Sequence, residues 1–411
     1  MEDLLRQVVE HAYRNSEFYQ EKLKKNKRTL DELLEDWEKV PVISRDEIVQ
    51  AKNSIVPFKY YGKIAGGQVL SAYTSGSTGK CLEIYLSQSE MKKSLLPLWI
   101  FRSKYYGIEP KDSYCYFFTT RGIQREPEIE YQKNGIGFSK INLTFTKIEK
   151  IYEQMQEYHP KWLHLQPSIA MILARYVYES GAESLKGLRY IELTGEMFTE
   201  ENRNFIKNAF GVPVASQYGC NELGSIAYEC PCGCMHVMEH NVHVDIIKNG
   251  KRAKTNEAGS IVVTSKNHYI MPFIKYDIGD YGMFTGEKCS CGNHGAILKL
   301  IKGRKNDLIV YEDGRVMGAD EFARIFQCIS PHIDGKIYQY KIRQTGYDQF
   351  EIFIVTDEDK DKIEKLFFKF LQDAVLKKAE YQFQYYEYLL PDEKSGKLRF
   401  FENAMIHRRG G

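Results

Sequence analysis

The chain has no apolar run long enough to cross a bilayer: its longest uncharged apolar stretch, around Leu163 to Ala174, falls well short of the roughly 20 residues a spanning helix needs. It has no excess of charge. Lys and Arg number 57 against 55 Asp and Glu, and the resulting +2 supplies no broad basic field for nucleic acid. There is no repeat with a period of roughly 20–50 residues and no low-complexity tract, which excludes solenoids and long disordered linkers. The opening Met1-Glu2-Asp3-Leu4-Leu5-Arg6 carries acid where a secretory signal needs base. A cytoplasmic soluble protein is therefore expected, with neither a membrane nor nucleic acid as partner.

What is present is ordinary globular composition, 43% apolar and 27% charged, over 411 residues, enough for two or three domains at roughly 150 residues each. The first seventy or so residues carry helical spacing, with a helix start at Ser44-Arg45-Asp46-Glu47 after Pro41. Strand and helix patterns then alternate. Strands are expected at 68–73, 82–86, 113–119, 162–165, 188–193 and 214–217, and helices at 89–106, 146–158, 168–180 and 199–210. Such alternation predicts an α/β fold with a doubly wound parallel sheet. Beyond Tyr218 the pattern becomes antiparallel, with strands expected at 242–248, 259–264 and 270–276. From about Gly303 onward an α+β unit of about a hundred residues follows, large enough to fold by itself. The expected domains are 1–305 and 306–411.

Tyr73-Thr74-Ser75-Gly76-Ser77-Thr78-Gly79-Lys80 concentrates hydroxyls, glycines and a lysine, equipment for wrapping phosphate oxygens. It is not a Walker loop, because Thr74 stands where that motif needs glycine and a strand follows in place of a helix. By itself it is equally a Ser/Gly turn. Gln217-Tyr218-Gly219-Cys220-Asn221-Glu222 follows the last parallel strand, where ligands of doubly wound sheets bind; Glu222 could hold Mg²⁺ and Tyr218 could pack on a base. Tyr276-Asp277-Ile278-Gly279-Asp280 offers carboxylates to sugar hydroxyls, and Gly303-Arg304-Lys305-Asn306-Asp307 a cation at the domain boundary. Ser395-Gly396-Lys397-Leu398-Arg399 is a short basic loop.

In order and spacing these segments resemble the adenylate-forming superfamily of acyl-CoA synthetases, adenylation domains and luciferases, and most closely its phenylacetate-CoA ligase-like branch. The resemblance runs from the N-terminal helix with Tyr13, Phe18 and Tyr19 to the lysine loop. It implies a large adenylating domain with doubly wound sheets and a β-rich subdomain, followed by a small mobile α+β lid domain. It implies an ATP triphosphate loop at Thr74, Ser75, Gly76, Ser77, Thr78, Gly79 and Lys80, an adenine-side segment at Gly195 and Glu196, and the Tyr218-Gly219-Cys220 turn with Glu222 as Mg²⁺ ligand. Asp280 and Arg304 would contact ribose, Asn306 would be the hinge, and Lys397 the catalytic lysine. Cys220 stands where the family usually has Thr, and Asn306 where it has Asp or Lys. The implied reaction is attack of a carboxylate, aryl or otherwise hydrophobic, on the ATP α-phosphorus, with pyrophosphate leaving and the acyl group passing to CoA or a carrier-protein thiol. An amine acceptor, or nucleotide binding without ligase activity, are the alternatives, and the resemblance also allows a homodimer.

Cys230-Pro231-Cys232-Gly233-Cys234-Met235-His236 and Cys289-Ser290-Cys291-Gly292-Asn293-His294 supply more than enough soft donors for a tetrahedral zinc site, which reduced, unliganded cysteines would otherwise explain. The resemblance implies Zn²⁺ on Cys230, His236, Cys289 and Cys291, with Cys232 and Cys234 as extra thiols that could stand in as ligands. A zinc-ribbon nucleic-acid module is disfavoured by neighbours that are not basic. His159, His164 and His268 read as core or surface residues, and Tyr114 to Phe118 as a buried parallel strand.

Overall fold

A computed structural model describes residues 2–74, 82–118, 128–140, 143–196, 198, 200–302, 308–312, 316–335, 337–371, 376–387, 389 and 401–405. The chain divides into two compact units, Met1–Phe117 with Ile129–Phe138 and Tyr152–Ile301, and Phe118–Glu128 with Ser139–Ile151 and Lys302–Gly411.

Helix Asp3–Asn15 begins the first unit. Leu5, Val8, Val9, Ala12 and Tyr13 recur at three- and four-residue spacing on one face, and all are buried. That face joins a core with Val244, Ile261, Val263 and Phe273. Ser44 opens helix Arg45–Ala51 through a capping box with Glu47. Immediately before it, Ile43 makes a parallel bridge to Tyr276. The Ile43 N–H donates to the Lys275 carbonyl and the Asp277 N–H to the Ile43 carbonyl, each at 2.9 Å.

Strands β1 (Leu70–Thr74) and β2 (Leu82–Leu86) pair antiparallel. The main sheet contains β3 (Tyr114–Phe118), β4 (Ile129–Gln132), β5 (Gly135–Ser139), β6 (Trp162–Leu165), β7 (Tyr190–Thr194), β8 (Val214–Cys220), β9 (Gly224–Glu229), β10 (Met235–Val237), β11 (Val242–Lys248), β12 (Lys251–Arg252), β13 (Gly259–Ser265), β14 (Tyr276–Thr285) and β15 (Ile297–Lys302). Their order is β12-β11-β13-β14-β15-β10-β9-β8-β7-β6-β3-β5-β4. β3, β6, β7 and β8 are parallel neighbours, with helices Pro167–Ser180 and Glu200–Phe210 as crossovers, as the alternation predicts. β8–β9, β9–β10, β11–β13 and β13–β14 are antiparallel. The hairpin β4–β5 has no counterpart in the sequence reading. The strand expected at 270–276 instead begins at Tyr276, because Lys275 takes a left-handed φ of +45° that extended backbone cannot include.

A charged pair lies inside the parallel part of the sheet. Helix Gln88–Tyr106, capped by Ser87 with Glu90 and closed by Gly107 at φ +63°, brings Arg102 onto Glu192 of β7. Arg102 donates from Nε to Glu192 Oε2 at 2.8 Å and from Nη2 to Oε1. The Tyr190 and Tyr228 hydroxyls donate to Oε2 at 2.9 and 3.1 Å. The guanidinium lies over the Trp99 and Trp162 rings, 4.5 and 4.6 Å from their centroids. Burial alone would raise the Glu192 pKa, but Arg102 outweighs it and holds the carboxyl at about 2.

In the second unit β16 (Leu308–Val310) pairs with β17 (Val316–Gly318), and β18 (Ile337–Gly346), β19 (Gln349–Thr356), β20 (Glu380–Tyr385) and β21 (Phe401–Asn403) form a sheet in the order β20-β19-β18-β21. Helices Asp320–Ile329 and Lys360–Phe370 supply Phe322, Phe326 and Phe367 to a core shared with Ile342 and Ile352.

Arg102→Met strands a buried carboxylate and should cost about 3–5 kcal/mol in urea unfolding, most of it recovered in the double variant Arg102→Met/Glu192→Leu. Because the folded-state pKa of Glu192 is depressed, the pair's stabilisation is complete above about pH 4.5 and is lost as pH falls toward 2. The stability difference between wild type and the double variant should therefore be flat above about pH 4.5 and decline below it.

Candidate functional site

The carboxyl ends of the parallel strands β7 and β8 carry several of the residues singled out in the sequence. At the end of β7, Thr194 donates through Oγ1 to Gln217 Oε1 at 2.6 Å, and Gly195 turns the chain at φ +84°. Glu196 then accepts from the Ser168 N–H and hydroxyl at 3.0 and 3.1 Å, satisfying the first turn of helix Pro167–Ser180. The Gly195-Glu196 segment is thus anchored to the crossover beside it.

β8 ends with Tyr218-Gly219-Cys220, and β9 leaves after the three-residue turn Asn221-Glu222-Leu223, Cys220 opposite Gly224. Gly224 sits at φ +69°, and a Cβ on Gly219 would lie 2.2 Å from the Gly224 carbonyl oxygen, so the turn requires glycine at both positions. The Tyr218 hydroxyl donates to Asp280 Oδ2 of β14 at 2.6 Å. Residues separated by 62 positions are brought into one hydrogen bond.

Glu222 is buried. Arg45 Nη1 forms an ion pair with its Oε1, and the Tyr276 hydroxyl donates to the same oxygen at 3.5 Å while accepting from Arg45 Nη1 at 3.4 Å. Burial works against the Arg45 charge, but Glu222 and Tyr276 outweigh it and raise the guanidinium pKa; burial and the Glu222 charge also push the Tyr276 hydroxyl well up. Arg45 is the residue that sequence reasoning missed. It appears there only as part of a helix start, and no local pattern marks it as turned inward. His268, read as a core or surface residue, is buried, held near pKa 4 by burial, with Nε2 3.2 Å from the Ser94 hydroxyl.

Thr74 ends β1 opposite Leu82. Ser75, Gly76, Ser77, Thr78, Gly79, Lys80, Arg304, Asn306 and Lys397 lie outside the described residues.

A second constellation lies just past β9, on β10 and in the loop before β15. The donor atoms of Cys230, His236, Cys289 and Cys291 all fall within 4.8 Å of one another. Cys230 and Cys289 Sγ are 3.5 Å apart, and Cys291 Sγ is 3.3 Å from His236 Nε2. Tetrahedral zinc with Zn–S near 2.3 Å separates its ligands by about 3.8 Å, so the residues fit the ion. His236 Nδ1–H donates to the Gly295 carbonyl at 3.3 Å, which turns Nε2 toward the sulfurs, and burial lowers its pKa toward the neutral form a ligand needs. N–H groups of Cys291 and Asn293 approach Cys289 and Cys291 Sγ at 3.5 and 3.4 Å. Cys232 is exposed, with Sγ 3.3 Å from Ser290 Oγ, and Cys234 sits on the same turn as Cys230; neither belongs to the group of four.

No family model matches the chain. A phenylacetate-coenzyme A ligase of Thermus thermophilus is 23% identical over 382 residues, covering 87% of this chain and 81% of the relative. The protein CapK of Staphylococcus aureus is 22% identical over 408 residues, covering 95% and 85%. Among solved structures, 2-hydroxyisobutyryl-CoA ligase in a postadenylation state with an acyl-AMP superposes with a TM-score of 0.74 at 15% identity over 99% of this chain and 89% of that one. The o-succinylbenzoate CoA synthetase of Bacillus subtilis with ATP and magnesium gives 0.52 at 14% identity over 80% and 68%.

Gly219→Ala should lower stability by about 3 kcal/mol, the scale of a steric insertion that backbone cannot relieve, read as a reduced urea midpoint.

Proposed function

We infer that this chain belongs to the adenylate-forming superfamily and within it to the phenylacetate-CoA ligase-like branch, activates a carboxylic acid with ATP and passes the acyl group to the thiol of CoA. One observation carries the reading: Tyr218, Asp280 and Glu222 converge on the β8–β9 turn at the carboxyl ends of the parallel strands, where doubly wound sheets bind their ligands. The relatives that share the fold include CoA ligases holding acyl-AMP, CoA, or ATP with magnesium, which supports ATP, Mg²⁺ and CoA as reactants here.

The chain works, in this reading, as an adenylation domain over 1–305 and a lid over 306–411 that turns about Asn306. Thr74 to Lys80 wrap the triphosphate, Gly195, Glu196 and Tyr218 border the adenine, and Asp280 with Arg304 takes the ribose. Glu222 supplies a carboxylate oxygen for Mg²⁺, which neutralises charge on the phosphates. Lys397 bridges the acid and the α-phosphate. The carboxylate attacks the α-phosphorus, the bond to the β-phosphate oxygen breaks, and pyrophosphate leaves; the CoA thiol then attacks the acyl carbonyl, the bond to the AMP oxygen breaks, and AMP and the thiol proton leave. The protein's contribution is position and charge rather than covalent chemistry. A hydrophobic acid is the substrate class, and the compartment is the cytoplasm.

Zinc on Cys230, His236, Cys289 and Cys291 would serve structure: four protein ligands leave no position for an activated water. It would tie β10 to the loop before β15.

Pyrophosphate release across a panel of acids, with and without CoA, tests the reading; none with any acid would overturn it. Lys397→Ala should keep the fold and lower acid-dependent pyrophosphate formation by roughly 10²-fold or more. An unchanged rate would remove Lys397 from the reaction. Protein purified without chelator should contain about one zinc by elemental analysis, reduced in Cys289→Ser and in Cys291→Ser but not in Cys328→Ser. Full zinc in a double Cys289/Cys291 variant would return these thiols to unliganded cysteines.

A further inference from the structure

Arg45 reaches Glu222 from a segment that the main sheet holds in place. Ile43 is bridged to Tyr276 by two backbone hydrogen bonds of 2.9 Å, and Ser44 and Glu47 fix the start of the helix that carries Arg45. The same segment therefore grips the start of β14 twice, through the Lys275 and Asp277 backbone on either side of Tyr276 by Ile43 and through the Tyr276 hydroxyl by Arg45. Among the described residues both contacts to the Glu222 carboxylate, from Arg45 Nη1 and from the Tyr276 hydroxyl, fall on Oε1. That arrangement presents a single further oxygen, Oε2, as a one-oxygen ligand.

We propose that Arg45 is a positioning residue that holds Glu222 by Oε1 and, through its fixed positive charge, makes occupancy of Glu222 by a divalent cation conditional on the triphosphate arriving with it. The inference rests on reading Glu222 as the cation's ligand. A guanidinium bonded to one carboxylate oxygen and a doubly charged ion on the other are a few ångströms apart. Their repulsion at an effective dielectric of roughly 50–80, that of a site open to solvent, is enough to weaken binding of the bare ion on the order of ten- to a hundredfold. A triphosphate brings several negative charges that offset both cations, so the ion is accepted together with the nucleotide. Were Arg45 only a counter-charge for a buried carboxylate, it would stabilise the fold without making metal binding depend on nucleotide.

Mn²⁺, a cation that carboxylates bind as they bind Mg²⁺, can be titrated into the full chain by electron paramagnetic resonance, without ATP and with ATP but no acid. Without ATP, Arg45→Met should bind Mn²⁺ at least roughly tenfold more tightly than wild type, while Arg45→Lys, which keeps the charge, should stay near wild type. On adding ATP, wild type should gain more affinity than Arg45→Met. The tightening should vanish in Arg45→Met/Glu222→Gln. Equal or weaker Mn²⁺ binding by Arg45→Met, or tightening that survives loss of the Glu222 carboxylate, overturns the proposal. Arg45→Gln carries the same expectation as Arg45→Met and replaces it if that variant does not unfold cooperatively. Wild type that binds no ATP with Mg²⁺ would remove the ligase reading, while the ATP-free comparison still decides the role of Arg45.

Discussion

A carboxylate placed in the middle of a parallel sheet is unstable unless something brings it a cation, and Glu192 has one in Arg102. The helix Gln88–Tyr106 cannot slide or rotate without breaking two hydrogen bonds and leaving that charge alone. Two tyrosines, Tyr190 from the same strand and Tyr228 from β9, add hydrogen bonds to Oε2. The pair therefore fixes one helix against three strands. Two residues beyond Glu192 the chain reaches Thr194 and begins the turn to Glu196. The geometry of that turn is inherited from the register that the buried pair sets, and hydrophobic packing alone would specify the register less narrowly.

The candidate site follows the same logic of assembling from distant strands. Tyr218 and Asp280 meet because β8 and β14 belong to one sheet, and the close approach of Gly219 to Gly224 lets β9 fold back immediately beneath the turn. A phosphoryl-transfer type of reaction asks for fixed dipoles and charges, and a site whose members are each held by another residue meets that demand before any ligand arrives. Glu196 is held by Ser168, Asp280 by Tyr218 and Glu222 by Arg45.

Features with a local signature were legible in the sequence. Alternation gave the parallel strands and their crossovers, because a helix or strand leaves its period in consecutive residues. The two cysteine groups stood out by spacing, and the structure brings four of their donors within 4.8 Å of one another. Tyr218 and Asp280 were singled out by motif, but the hydrogen bond between them was not. What stayed hidden depends on contacts between residues far apart in the chain. Arg102 and Glu192 are 90 positions apart, and Arg45 and Glu222 are 177 apart. A lone arginine on a helix reads as solvated surface, and nothing in its neighbours says otherwise. The strand expected at 270–276 failed for a different reason: a lysine at positive φ is invisible to propensity.

The N-terminal segment also carries a consequence for how the chain is made. The Tyr19 hydroxyl donates to the carbonyl of Pro272, 253 residues further on, and Arg45 contacts Tyr276 across 231. At a synthesis rate of roughly 5–20 residues per second, these first helices leave the ribosome on the order of 10–50 s before their partners exist. Leu5, Val8, Val9 and Ala12 have no core to enter during that interval. The parallel strands β6 to β8, whose neighbours follow one another closely, can assemble meanwhile. Vectorial translation thus separates the order in which segments appear from the order in which they dock, and an exposed apolar helix face in a waiting nascent chain is the kind of surface that chaperones bind.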